Sequence, residues 1–254
     1  MDEEQIVKSR LKDLGDRAYR QGAYTYSNFL TPAELSLLEE LRSELSYVGY
    51  KTYGGMELCD RQMVCFGNEE QFGYPPHFPI SVIKVEPLIE KFSDELTHRD
   101  FLGAVMNLGI DRSVLGDILV KDNKRAYIFC VDSIAEFIVE QLTKIKHTNI
   151  KTSILIEEED LSELAPTLKD VQFIVSAPRF DAIVAAVTKS SRSEALNLFK
   201  GKKVTLNGRL CERNSITLKE NDIFSIRGYG KYRYLSSGGE TRKGRVYVHL
   251  QQYI

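Results

Sequence analysis

The chain has 254 residues, 43% of them hydrophobic, enough for one large domain or two to three small ones around real cores. It holds no run of eighteen apolar residues and no charged-then-apolar leader, so neither a membrane span nor a secretory signal is expected and the cytoplasm is the expected compartment. The net charge of −2 conceals a split: Arg179 to Arg245 carries 15 basic against 6 acidic residues, net +9, whereas residues 1–178 carry 19 against 30, net −11.

In chain order, the first stretch reads helix, loop, helix. Thr31 suits an N-cap, Pro32 the first helical position and Glu34 a capping box, with Leu35, Leu38, Leu41 and Leu45 following at helical spacing. Tyr53-Gly54-Gly55 reads as a turn and Arg61–Phe66 as a strand, and Gly73-Tyr74-Pro75-Pro76 is the first boundary. Beyond it the spacing predicts a strand at Ile80–Val85 and a helix at Leu96–Leu108, with Thr97 as N-cap, Asp100 at N3 and Gly109 as its stop. Strands are expected at Asp117–Val120 and Ala126–Val131. A helix capped by Asp132 should bury Ile134, Phe137, Ile138, Leu142 and Ile145, and a last strand should run Thr152–Ile156. The order β-α-β-β-α-β is that of the ferredoxin-like fold, which RNA-recognition modules share with many other functions.

An acidic connector with a short helix, EEEDLSELAPTLKD, leads to a strand at Gln172–Val175 and then to the basic segment. There, Phe180, Ile183, Val184 and Val187 line one helix. Ser191 and Glu194 open a second, with Ala195, Leu196 and Phe199 as its buried stripe and Gly201 as its end. Lys203–Leu206, Asn207-Gly208 and Arg209–Glu212 read as a hairpin with a type I′ turn, and Ile223, Phe224 and Ile226 mark a further alternating run. Such a small module must present polar surface. Its cations fall at helix starts and hairpin flanks, where long side chains and free backbone N–H groups can meet phosphates together.

The residues Arg179-Phe180-Asp181, Ser191 to Ala195, Val204-x-Leu206-Asn207-Gly208 and Asp222 to Gly230 resemble an S4 RNA-binding domain, with Phe180 where that family more often has Leu. The likeness covers roughly Arg179 to Lys231. It implies two helices in an L whose basic face meets folded RNA, with Arg179 and Arg192 at the RNA. Asp181 is expected to hold one of those arginines rather than touch RNA. Lys200, Lys202, Lys203 and Arg209 are expected to neutralise phosphates, and Ser193, Asn207, Arg227 and Lys231 complete the candidate surface. LTHRDFLGAVMNLGIDRSVLGDILV with AYIFCV, and YGGMELCDRQM before them, extend the resemblance over nearly the whole chain to the YlmH family of S4-domain proteins. That resemblance implies an α+β protein in four parts: a small N-terminal α/β domain (1–75), a ferredoxin-like, RRM-like middle domain (76–160), a connector (161–178) and an S4 domain with a C-terminal extension (179–254). It further implies a factor that binds large-subunit rRNA and tRNA on ribosomes holding a stranded peptidyl-tRNA, in ribosome-associated quality control. Away from the ribosome it would be a monomer, with no membrane partner.

Other chemistry finds little support in the residues. His98-Arg99-Asp100 has the letters of a kinase catalytic loop, but position 105 is Val rather than Asn. Gly208-Arg209-Leu210 begins like a pseudouridine-synthase motif, but its nucleophilic Asp is Cys211 here. His77, His98, His147 and His249 are dispersed, and Cys59, Cys65, Cys130 and Cys211 form no metal-like pair, so no metal, no cofactor and four reduced thiols are expected. No catalytic constellation can be assembled, which leaves a non-enzymatic RNA-binding factor ahead of an RNA-modifying enzyme or a ribosome-linked factor tied to cell division. Tyr127 and Phe129 alternate on a strand, where packing is favoured over base stacking. Tyr229, Tyr232 and Tyr234 suit either role.

Overall fold

The computed structural model describes residues 3–56, 59–155 and 168–253. The chain is α+β and divides into two compact units, residues 1–164 and 165–254.

In the first unit, α1 (Glu3–Gln21), β1 (Thr25–Tyr26) and α2 (Pro32–Glu40) precede β2 (Tyr50–Tyr53), β3 (Met63–Phe66) and the short α3 (Glu69–Phe72). Thr31 caps α2 in a full capping box with Glu34, and Pro32 follows it, as the sequence dictates. Leu35, Leu38, Leu41 and Leu45 are all buried against Leu11, Leu14 and Ala18 of α1. The antiparallel sheet β1-β3-β2 covers this cluster with Val64 and Phe66.

The chain continues through β4 (Ile80–Pro87), α4 (His98–Met106), β5 (Leu115–Lys121), β6 (Arg125–Val131), α5 (Asp132–Gln141), β7 (Lys144–Ile145) and β8 (Thr148–Ile154). The strands form an antiparallel sheet in the order β5-β6-β4-β8-β7. One face packs Ile83, Val85, Ile128 and Cys130 against Phe101, Val105, Ala135 and Ile138 of the two helices. Thr97 and Asp100 form the expected capping box, and Gly109 ends the turn after α4 at a φ of +79°. Three expectations for α5 fail, the first because the helix ends at Gln141 and Ile145 lies beyond it on β7. Val131 holds the N-cap position, while Asp132 is already helical and accepts from the Ser81 hydroxyl. Phe137 is 45% exposed, and the buried place on that helix goes to Ala135.

Tyr127 and Phe129 point to the opposite face. They are fully buried there with Val82, but against Phe29, Cys59 and Met63 of the N-terminal segment rather than against a helix. Arg61 fastens this contact. Its Nε donates to the Leu115 carbonyl at 3.0 Å, and its Nη2 donates to the carbonyls of Phe29 at 3.0 Å and Arg112 at 3.2 Å. Asp117 on β5 accepts from the Asp60 backbone N–H in return. Gly116 lies so close that a Cβ there would meet the Phe29 ring at 2.8 Å.

The second unit comprises β9 (Leu168–Val175), α6 (Phe180–Thr188), α7 (Arg192–Lys200), β10 (Val204–Leu206), β11 (Arg209–Leu210), β12 (Ile223–Ile226), β13 (Gly230–Glu240) and β14 (Val246–Tyr253). All six strands form one antiparallel sheet, β11-β10-β12-β13-β14-β9. Phe180, Ile183, Val184, Val187, Ala195 and Phe199 bury the helices on its inner face with Phe224, Ile226, Tyr232, Tyr234, Val248 and Leu250. Leu196 is only half-buried, and Leu198 packs on the core instead. Asn207 and Gly208 take φ values of +50° and +77°, the two left-handed positions of a type I′ turn. β14, which closes the sheet onto β9, is not anticipated by the sequence analysis. The expected connector helix and the end of the expected Thr152–Ile156 strand lie outside the described residues. No helix among the described residues is long and apolar enough to cross a membrane.

Candidate nucleic-acid interface

The start of α6 is organised by one carboxylate. Asp181 is 1% exposed, and Arg179, at the N-cap position, forks onto it with Nε to Oδ1 and Nη2 to Oδ2, both at 3.1 Å. Arg192, at the start of α7, donates from Nε to Oδ2 at 2.9 Å. Asp181 therefore fixes both arginines, not one, and joins the first turns of the two helices. The guanidiniums stay in solvent, at 43% and 55% side-chain exposure. Each keeps donors for a second anion, because an arginine fork offers five N–H groups.

The free backbone N–H groups expected at the helix starts are not available on α6. Phe180 N donates to the Ile216 carbonyl at 2.9 Å and Asp181 N to the Asn214 carbonyl at 2.8 Å, so the loop after β11 takes the donors a phosphate would need. On α7 the Ser191 hydroxyl accepts from Glu194 N, and the Glu194 carboxylate accepts from Ser191 N. The capping bonds hold the Glu194 carboxyl below its ordinary range. Anion binding at the start of α6 therefore falls to side chains.

Ser193, Asn197 and Lys200 are exposed and share one face of α7 by helical spacing. Lys202 and Lys203 follow directly, both exposed. Lys202 adopts a φ of +52°, as Lys189 after α6 adopts +53°; a glycine ordinarily takes such positions. Arg227 N donates to the Lys203 carbonyl at 2.9 Å, which sets the exposed Arg227 beside the lysine pair. Lys231 stands opposite Ser225 on the sheet face away from the helices, and Arg209 lies across the hairpin from Leu206. Asn207 has a different task. Its amide donates to Asp222 Oδ1 and its Oδ1 accepts from Ile223 N, both at 2.9 Å, so the side chain closes the hairpin. Tyr232 and Tyr234 are core residues, with Tyr232 stacked on Phe224, whereas Tyr229 is 46% exposed.

His98 and Asp100 form the first turn of α4, where Asp100 pairs with Lys146 at 2.7 Å. Its depressed carboxyl, at about 2, follows from Lys146 and the capping bonds from Thr97. No group of three His, Cys, Asp or Glu able to hold a metal occurs among the described residues. The four cysteines are buried and none is in a disulfide.

Residues 75–162 match the family model described as "Putative RNA-binding domain in YlmH". Over 229 residues the chain is 29% identical to the "Ribosome-associated protein quality control protein P2" of Bacillus subtilis (strain 168), an alignment covering 89% of this chain and 86% of that protein. A solved structure, "Cell division protein ylmH from Streptococcus pneumoniae", aligns with a TM-score of 0.50 at 22% identity, over 63% of this chain and 94% of the solved one. That likeness speaks to the fold.

Proposed function

The chain belongs to the YlmH family, and from that premise we propose that it is a non-catalytic RNA-binding factor. It docks on large-subunit rRNA and tRNA of ribosomes that hold a stalled peptidyl-tRNA, in the cytoplasm. It works in ribosome-associated quality control, the process for which its Bacillus subtilis relative is named. The strand order β5-β6-β4-β8 with α4 and α5 on one face supports a ferredoxin-like, RRM-like middle domain. The α6–α7 pair with the β10–β11 hairpin supports an S4 domain, extended by β13, β14 and β9. Away from the ribosome the protein is a monomer.

The observation that carries this reading is the Arg179–Asp181–Arg192 junction. A buried carboxylate holds two half-exposed guanidiniums in place, so their ordering cost is met before RNA arrives. Lys200, Lys202, Lys203 and Arg227 add positive charge that makes no side-chain bond among the described residues. The aromatic face of the middle sheet is closed by Phe29, Cys59 and Met63, which favours the second unit as the principal RNA contact.

The test is co-sedimentation with ribosomes across a salt series, with the large-subunit fraction probed for peptidyl-tRNA. Wild type should pellet with those subunits, and Lys200→Gln/Lys202→Gln/Lys203→Gln should leave them at lower salt. A wild-type protein that stays in the supernatant at every salt overturns the reading.

A further inference from the structure

We propose that the turn between β13 and β14 is a second RNA-backbone-binding element, an arm whose Arg242, Lys243 and Arg245 contact phosphates apart from the α6–α7 surface. The inference rests on the RNA-binding reading above and extends it to residues outside the S4-like stretch.

Three cations crowd into four residues, Arg242-Lys243-Gly244-Arg245, with Glu240 the one acid nearby. All three are exposed, and none makes a side-chain hydrogen bond or ion pair among the described residues. The turn does not need them. Thr241 N donates to the Arg245 carbonyl at 2.8 Å, Gly244 N donates to the Thr241 carbonyl at 2.9 Å, and the Thr241 hydroxyl accepts from Arg245 N at 3.1 Å. Gly244 supplies the left-handed backbone at a φ of +69°. Like charges this close repel one another, and that repulsion is relieved when a polyanion lies across them.

The position of the arm fits the same ligand. β13 runs for eleven residues, so its tip stands about 30 Å from the end that holds Lys203, Arg227 and Lys231. The tip is thus not part of that group. It instead shares an end of the sheet with the arginine junction. Val246 pairs with Val175, and Arg179 follows Val175 by only four residues. Chain geometry then keeps the Cα atoms of Arg245 and Arg179 within about 24 Å of each other. Register shifts at Tyr234/Ser236 and Gly238/Glu240 twist the hairpin before its tip, the usual means by which a strand end is re-aimed. One RNA lying along α6 and α7 can reach this arm.

The test uses the full chain, purified large ribosomal subunits and the salt dependence of binding. Arg242→Gln/Lys243→Gln/Arg245→Gln is compared with wild type and with a charge-matched control, Arg17→Gln/Arg20→Gln/Arg99→Gln, whose three residues are exposed on the first unit. Thermal melting should be unchanged in the arm variant. Its slope of log affinity against log salt should become shallower by about 2, since each phosphate contact contributes roughly 0.7–0.9. The control should match wild type. If wild type binds and the arm variant keeps its slope, the arm is not a contact and the docking reading survives alone. If arm and control variants weaken alike, net charge is responsible and the inference falls. If wild type does not bind, the arm and the docking reading fall together.

Discussion

Asp181 Oδ2 lies 2.9 Å from Nε of Arg192, eleven residues away, and the same carboxylate receives the fork of Arg179. Because Asp181 is 1% exposed, removing both arginines strands a buried charge rather than simply deleting an RNA contact. Arg179→Gln/Arg192→Gln should therefore lose about 1–3 kcal/mol in urea unfolding. Adding Asp181→Asn should restore much of that loss while RNA binding stays weak. If the triple variant is no more stable than the double, the stranded carboxylate is not the source of the cost.

Lys202 keeps a charged side chain where the backbone is left-handed, at a φ of +52°. A non-glycine residue there costs roughly 1 kcal/mol relative to glycine. Lys202→Gly should raise the urea midpoint of the second unit and at the same time weaken RNA binding. A parallel Lys189→Gly, at a φ of +53°, supplies the comparison on the other helix. A variant that is stabilised and binds as tightly as wild type removes Lys202 from the interface.

Tyr127 and Phe129 are fully buried between the middle sheet and the N-terminal segment. Phe129→Ala should cost about 3–5 kcal/mol through the cavity it opens against Phe29 and Met63. Gly116→Ala should destabilise the same contact by about 1–3 kcal/mol through crowding of Phe29. Neither change should alter RNA affinity at temperatures where the first unit stays folded. A Phe129→Leu protein of near-native stability that binds RNA more weakly would return the sheet face to the RNA interface.

What the sequence declares about this fold it declares locally. Thr31, Thr97 and Ser191 announce their caps because the capping-box bonds reach only three residues, and Asn207-Gly208 announces its turn because two adjacent residues supply the left-handed backbone it needs. β14 and its pairing with β9 escape notice, since the partners Val175 and Val246 are 71 residues apart and no turn chemistry links them. The two-sided use of the middle sheet is hidden for a related reason. Arg61 acts on carbonyls of Phe29, Arg112 and Leu115, and carbonyls carry no sequence signature. At the candidate interface, the family-like motif points to Arg179, Asp181 and Arg192, but only the geometry ties both arginines to one carboxylate. The arm at Arg242–Arg245 shows in the sequence solely as part of a charge sum, because a short basic turn has no meaning until the pairing of Val246 with Val175 puts it at the sheet end from which the chain runs to Arg179.

Burial also sets the thiol chemistry. Cys130, on the helix-covered face of the middle sheet, has its thiol pushed up to about 12 by burial and by nearby Asp132, from an ordinary value of 9.0. Cys65 is pushed up to about 11, again chiefly by burial. Little thiolate forms in the native state near neutral pH, so iodoacetamide should modify neither residue until the protein is unfolded in urea, as mass spectrometry of the labelled peptides can check. The linkage has a definite sign. Between pH 9.0 and about 12 the unfolded Cys130 has lost its proton while the folded one keeps it, so the folded state binds more protons and stability falls as pH rises. The stability advantage of wild type over Cys130→Ala should therefore be full at pH 8 and smaller at pH 10 in urea titrations. An advantage that holds constant across that interval would mean that water reaches Cys130 in the native sheet.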